Sequence, residues 1–402
     1  MVPRPPNIDP EAALFFARSR LSRAALLKRT GGTLLGMSAA GSILAACGGD
    51  DEGAAPEGTS PTEGGEKPSG TVTALLWQGY DDPKAAKPLT DQGVEVSAQY
   101  VANNDEFITK LRGGGLGRYD IVTPYHGYIE ALVTADLIQP LDYSRLPSTQ
   151  TYFPQFAEST FNRFDGEVYS APLVWGDTPM VYRPDLVTTL PESWLDLKNP
   201  EYKGQVVLWD DGFGHILLFS KVLFGPEEPN RITREQLDQV MAALGEIKKN
   251  AVTIAPSHGD AADIIARGDD AIQTEGWAYV AELIKQKGKP AETHLPKEGA
   301  FAWADSYCLV KDAPNETAAY AFINTMVSPE GDAQIGGATS SGVTNEAALD
   351  FLTEEQRALY PYDDLDGYFA QLGFYSIPPL EPEGDIMTLD DWNNAWDEFK
   401  GS

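Results

Sequence analysis

From residue 71 onward the chain alternates between short apolar runs of strand length and longer stretches whose apolar positions recur at helical spacing. Residues 71–77, 119–123 and 205–209 read as buried strands, and 169–175 and 179–182 as strand or crossover segments. Asn104 or Asp105 can cap a short helix that carries Phe107, Ile108 and Leu111 on one face, with Gly113, Gly114 and Gly115 stopping it. Thr233 with Gln236 resembles a capping box, opening a helix through Lys249 with Leu237, Val240, Met241, Leu244 and Ile247 along one side. Residues 260–267, 277–286, 316–327 and 390–400 have the same helical pattern. Alternation of this kind predicts an α/β fold with mostly parallel sheets flanked by helices.

The first 70 residues follow neither pattern. Arg18, Arg20, Arg23, Lys28 and Arg29 precede an uncharged, small-residue stretch over 31–46, too short and too rich in Gly and Ser for a membrane span. It ends Leu44-Ala45-Ala46-Cys47-Gly48, which resembles the bacterial lipobox, in which the cysteine is diacylated and becomes the mature N-terminus. Residues 1–46 are therefore expected to be a lipoprotein signal peptide, with Cys47 lipidated and the chain anchored on the extracytoplasmic face of a membrane. Residues 22–28 resemble a twin-arginine signal with Ala24 in place of the second arginine, which leaves the export route open. Residues 47–70, rich in Gly, Pro, Glu, Ser and Thr, read as a disordered tether.

Composition narrows the function. The 402 residues are 42% hydrophobic, 10% aromatic and 22% charged, an ordinary globular mixture. Lys and Arg number 30 against 60 Asp and Glu, a formal charge of −30 that repels nucleic acid and favours cationic ligands. Of the two cysteines, lipidation takes Cys47 and leaves Cys308, set in an apolar run, as a packed thiol. His126, His215, His258 and His294 show no paired-ligand spacing, so neither a metal nor a cofactor is expected. The glycine-rich run 112–118 lacks the Gly-Lys-Ser/Thr ending of a phosphate loop, and no Gly-x-Ser-x-Gly elbow occurs. Thr339-Ser340-Ser341-Gly342 reads as a turn. An enzyme is disfavoured.

Six local segments carry a family resemblance: Trp77-Gln78-Gly79-Tyr80; Tyr119 through Pro124; Tyr169-Ser170-Ala171-Pro172 with Trp175-Gly176; Ser193 through Leu197 with Pro200 through Gly204; Leu208 through Asp211; and Pro296 through Gly299 with Trp303-Ala304-Asp305-Ser306. In this order, from about Thr71 to Asn345, the chain resembles the extracytoplasmic solute-binding proteins of ABC importers, specifically the spermidine/putrescine-binding group. The resemblance implies a two-lobe, periplasmic-binding-protein-like fold of type II with the ligand in the cleft. Lobe 1 would comprise 71–175 and the return segment 303–349, and lobe 2 residues 176–302. The segment 350–402 would pack on lobe 2. The lobes would hinge shut on the ligand, as a monomer, and an ABC permease would recognise the closed form.

The same resemblance assigns a site. Trp77 and Tyr80 would wall one side, Trp303 would stack on a methylene chain, Asp305 would hold an ammonium, and Asp211 would reach in from lobe 2. Trp194 and Trp209 read as core. The departures are informative. Tyr125-His126-Gly127 follows Thr123-Pro124 where the family often has a small hydroxyl and then an aromatic, Gly214 stands where it has a second acid, and Thr274 where it has a tryptophan, with Glu275 and Trp277 close by. Ser341 falls near a family tyrosine. Either Asp177 or Glu275 is a candidate to restore the missing charge. The leading reading is a polyamine receptor, against a receptor for an amino-acid derivative, an opine-like amine or a sugar, a surface-anchored hydrolase, or an adhesive surface protein.

Overall fold

The computed structural model describes residues 68–101, 103–268 and 271–402. The signal segment 1–46, Cys47 and nearly all of the tether lie outside the described residues.

The strands in chain order are β1 Gly70–Leu76, β2 Val94–Tyr100, β3 Ile121–Val122, β4 Ile138–Gln139, β5 Arg163–Phe164, β6 Glu167–Val168 and β7 Ser170–Asp177. After the first crossing come β8 Met180–Tyr182, β9 Val206–Trp209, β10 Ala251–Ala255, β11 Ile272–Gln273 and β12 Glu292–His294, then β13 Ala302–Val310 and β14 Gly342–Val343. One sheet runs β14-β7-β13-β3-β1-β2 with β4 added on β13, a second runs β10-β9-β11-β8-β12, and β5 and β6 form a small ladder.

Strand alternation explains why both main sheets are buried on two faces. Val72, Ala74 and Leu76 of β1 enter one apolar cluster while Leu75 enters another on the opposite face. Val206 and Leu208 of β9 likewise part from Val207. The sheets are mixed, not mostly parallel as the alternation suggested. β2-β1-β3 and β10-β9-β11 are parallel, but β7 and β13 pair antiparallel, as do β8 with β11 and β12. The physical reason is the crossing itself. β7 carries the chain out of the first sheet toward β8 and β13 brings it back after β12, so the two lie side by side in opposite directions.

Residues beyond 350 touch both lobes instead of the second alone. Tyr360, Tyr362 and Leu365 enter the first core, and Leu372, Trp392, Trp396 and Phe399 the second. The aromatic side chains at the front of the segment can fill the first core, so it crosses only after they are buried. The capping box at Thr233 and Gln236 is formed and opens the helix Arg234–Lys248.

One buried cation ties the crossings down. Lys221, on the helix Gly212–Phe224, donates from Nζ to the carbonyls of Ala300, Gln371 (2.6 Å) and Leu372 (2.8 Å). It thereby joins the return crossing and the C-terminal crossing to lobe 2. Lys221→Met keeps the apolar stem but leaves three carbonyls without that donor. We expect a loss of about 2–4 kcal/mol, read as a lower urea midpoint at unchanged slope.

Candidate functional site

On lobe 1 the site is built from the loop after β1, the turn after β3, and β13. The loop places Tyr80 so that its hydroxyl donates to Asp305 Oδ2 at 2.5 Å, while its carbonyl accepts from the Tyr307 hydroxyl. Trp77 is held by its amide, which donates to Thr123 Oγ1 at 3.1 Å, and its ring meets Phe107 edge-on at 6.1 Å. Trp303 and Asp305, two residues apart on β13, share a face. Just beyond Asp305 the partner strand β7 carries an extra residue, Leu173, as the pairing steps from Val174 to Pro172, a residue with no N–H for the ladder. A Cβ at Gly176 would collide with the Trp303 indole, so glycine there is what lets the ring lie against β7.

Tyr125 is fixed at three points. Its amide donates to Asn104 Oδ1 at 3.0 Å, its hydroxyl donates to the Tyr375 carbonyl at 2.9 Å, and its backbone bridges Asp305. His126 sits behind it, accepting at Nδ1 from the Ala304 amide at 3.2 Å among the rings of Tyr125, Phe161 and Phe374. Burial pushes its pKa down to about 3, so this imidazole is a neutral support for β13.

On lobe 2, Asp211 occupies the N-cap position of the helix Gly212–Phe224, where the helix dipole favours negative charge. The chain leaving β11 brings Glu275 beside it in a left-handed backbone conformation, φ +49°. His215 lies between them. Its Nδ1 is 2.8 Å from the Asp211 carbonyl and 2.7 Å from Glu275 Oε2, and its Nε2 is 2.8 Å from Thr274 Oγ1. Both flanking oxygens near Nδ1 are acceptors, so the proton belongs on Nδ1, and Thr274 donates to Nε2. Burial holds His215 below its usual pKa and therefore neutral.

Three carboxyls converge here. Burial raises Asp305 to about 7, with the Tyr80 hydrogen bond opposing the rise. Burial, and for Asp211 also the Glu275 charge, holds both lobe-2 acids well above the carboxylate range, close enough to share a proton. Tyr125 stands in the field of all three. The lobes touch across the same place: the Tyr125 ring meets Phe213 at 5.8 Å, and Trp277 meets Trp303 edge-on at 5.4 Å.

Asp177 and Ser341 do not join this group directly. Asp177 accepts from the Tyr368 hydroxyl beside the crossing, and Ser341 accepts from Thr339 Oγ1 at 2.9 Å just before β14. Asp210 is engaged by Trp396 Nε1 at 2.8 Å and by Lys400. Trp194 is fully buried as expected, its Nε1 donating to the Gly299 carbonyl at 2.7 Å, whereas Trp209 is only partly buried and lies tilted by 30° over His258 with ring centroids 3.9 Å apart. Sequence reasoning missed Phe213 and the carbonyl of Tyr375. Phe213 had a signal, an aromatic two residues after Asp211 at a helix start; Tyr375 had none.

The family model for bacterial extracellular solute-binding proteins matches residues 84–357. The spermidine/putrescine-binding periplasmic protein of Escherichia coli K12 is 28% identical over 297 residues, covering 72% of this chain and 83% of that protein. The putrescine-binding periplasmic protein PotF of the same organism is 26% identical over 347 residues, covering 81% and 91%. The solved structure of PotD from Streptococcus pneumoniae, a substrate-binding protein of a spermidine/putrescine ABC transporter, superposes with a TM-score of 0.66 at 23% identity, over 82% of this chain and 97% of that one. The two-lobe α/β architecture is thus that of the periplasmic binding proteins, and this chain belongs to the bacterial extracellular solute-binding protein family.

Proposed function

We propose that the cleft captures a small polyamine, putrescine or spermidine, and that the loaded protein delivers it to an ABC permease while tethered to the membrane through lipidated Cys47. The observation that carries this reading is the convergence of Asp305, Asp211 and Glu275 around Tyr125, with Trp303 two residues from Asp305 and in edge-on contact with Trp277. A linear polyamine is a row of ammonium groups spaced by methylenes. Carboxylates in a closed cleft are costly to bury alone, and an ammonium offsets that cost. Indole and phenol rings offer flat apolar walls to the methylenes and a negative face to the cations, contributing up to ~2 kcal/mol per desolvated cation. In this assignment Trp77, Tyr80 and Trp303 form the walls, Asp305 and Asp211 hold the charged ends, and no residue acts as a catalyst. The E. coli relatives, whose names state spermidine and putrescine binding, favour the same ligand class.

The experiment is calorimetric titration with putrescine and spermidine beside glucose and glutamate, paired with thermal denaturation. Saturable heat is expected with the amines alone. Amine at 100 times Kd stabilises the fold by about 2.7 kcal/mol and raises Tm by several degrees. Binding of the sugar or the acid in place of the amines would overturn the assignment.

A further inference from the structure

The geometry points to Glu275 as the second acidic anchor of lobe 2, delivered from the loop after β11 into the space that Gly214 leaves open on the helix, so that Asp211 and Glu275 together seat one primary ammonium. This deepens the polyamine reading and rests on it.

Three observations carry it. First, a Cβ built at Gly214 would fall inside the Glu275 carboxyl group and 2.8 Å from Asp211 Oδ2. The carboxyl therefore fills the place that a side chain at 214 would need. The resembling family has its acid at that position; here the same charge arrives from a different element. Second, the backbone at Glu275 adopts φ +49°, a region that costs a non-glycine residue and persists only when its surroundings hold it there. Third, Glu275 is 1% exposed, and among the described residues no Lys or Arg pairs with it; its polar neighbours are His215 and the Asp211 carboxyl, with which it shares a hydrogen bond. His215 Nδ1 lies 2.7 Å from Glu275 Oε2, but the ring is neutral and its Nδ1 is shared with the Asp211 carbonyl. Two buried acids side by side without a cation are costly in a purely structural role. An ammonium brings three N–H groups, enough to serve both carboxyls at once. Asp177, the other candidate, already accepts from Tyr368 beside the crossing and cannot fill this place.

The test compares the parent, Glu275→Gln, Gly214→Glu, and the double variant Gly214→Glu with Glu275→Gly, by putrescine calorimetry and thermal denaturation. Glycine suits the left-handed backbone at 275, so the double variant moves the acid back to the helix without added strain. Glu275→Gln is expected to weaken putrescine at least tenfold. Gly214→Glu alone should lower Tm by several degrees, and the double variant should recover both Tm and most of the affinity. If the parent binds putrescine and Glu275→Gln binds it within twofold, this assignment is overturned and the polyamine reading stands. If Gly214→Glu is as stable as the parent, the shared space is refuted. If the parent binds no amine, the polyamine reading itself falls and takes this one with it. Should Glu275→Gln not fold, the double variant decides alone: recovered affinity supports the transplanted acid, and absent affinity overturns it.

Discussion

Asp305→Asn is expected to weaken putrescine binding by about 100-fold or more, equivalent to about 3 kcal/mol. Asparagine keeps the volume and can still accept from the Tyr80 hydroxyl, so the change removes charge with little else. The loss should depend on pH in a defined sense. Burial raises the Asp305 pKa to about 7, and the Asp211 and Glu275 carboxyls are raised as well. An ammonium pairs with the ionised acid only, so below pH 7 binding must first expel a proton. Affinity in the parent should fall by about tenfold for each pH unit below 7 from Asp305 alone, more steeply as the other two acids add, and should level off at higher pH. The asparagine variant loses the Asp305 share of that slope. For the empty protein the sign reverses. These acids bind protons more tightly folded than unfolded, so their contribution to stability is full at low pH and declines as pH rises from the ordinary carboxylate range through about 7. Calorimetry between pH 5 and 8 in two buffers of different ionisation heat reads both the affinity and the proton released. Affinity that stays flat or rises on acidification would contradict the arrangement.

How much of this was legible beforehand differs by the range of the interaction. Local patterns carried well. The capping box at Thr233 and Gln236 depends on residues three apart, and the strand at Val72 to Leu76 depends on a buried run; both are visible in any short window. Pairings between distant residues were not. Tyr80 and Asp305 lie 225 residues apart, and nothing local to either announces the other. Strand direction was misread because alternation of elements reports that sheets are layered with helices, not which strands carry the chain between lobes. The aromatic residues from Tyr360 onward do not show in the sequence which core they enter, and the resemblance assigned the whole segment to lobe 2. Gly214 and Glu275 lie between these extremes. The missing acid at 214 and the acid at 275 could both be seen, but only their shared space in the fold singles out Glu275 over Asp177.

Two tryptophans that look alike in sequence should separate cleanly in experiment. Trp175 is fully buried on β7, its Nε1 donating to the Val343 carbonyl at 2.9 Å. Tyr360 and Phe369 of the C-terminal segment each lie 4.7 Å from its ring, and a Cβ at Gly342 would collide with it. It therefore joins β7, β14 and the C-terminal segment beside the place where the chain leaves lobe 1. Trp175→Ala should cost about 3–5 kcal/mol through lost burial, the cavity left behind and the unserved carbonyl, lowering Tm by about 10 °C. Trp175→Phe should recover part of that loss. Putrescine affinity, measured well below the lowered Tm, should change little, because the ring faces the core. Trp303→Ala is expected to show the opposite profile. That indole is partly exposed and meets Trp277 across the cleft, so its removal should cost less stability while weakening the amine by about tenfold or more. Urea unfolding and calorimetry on the same two variants settle the division of labour. Equal binding losses from both would mean that the hinge core and the cleft wall act as one unit, and that closure itself, more than contact with the rings, sets the affinity.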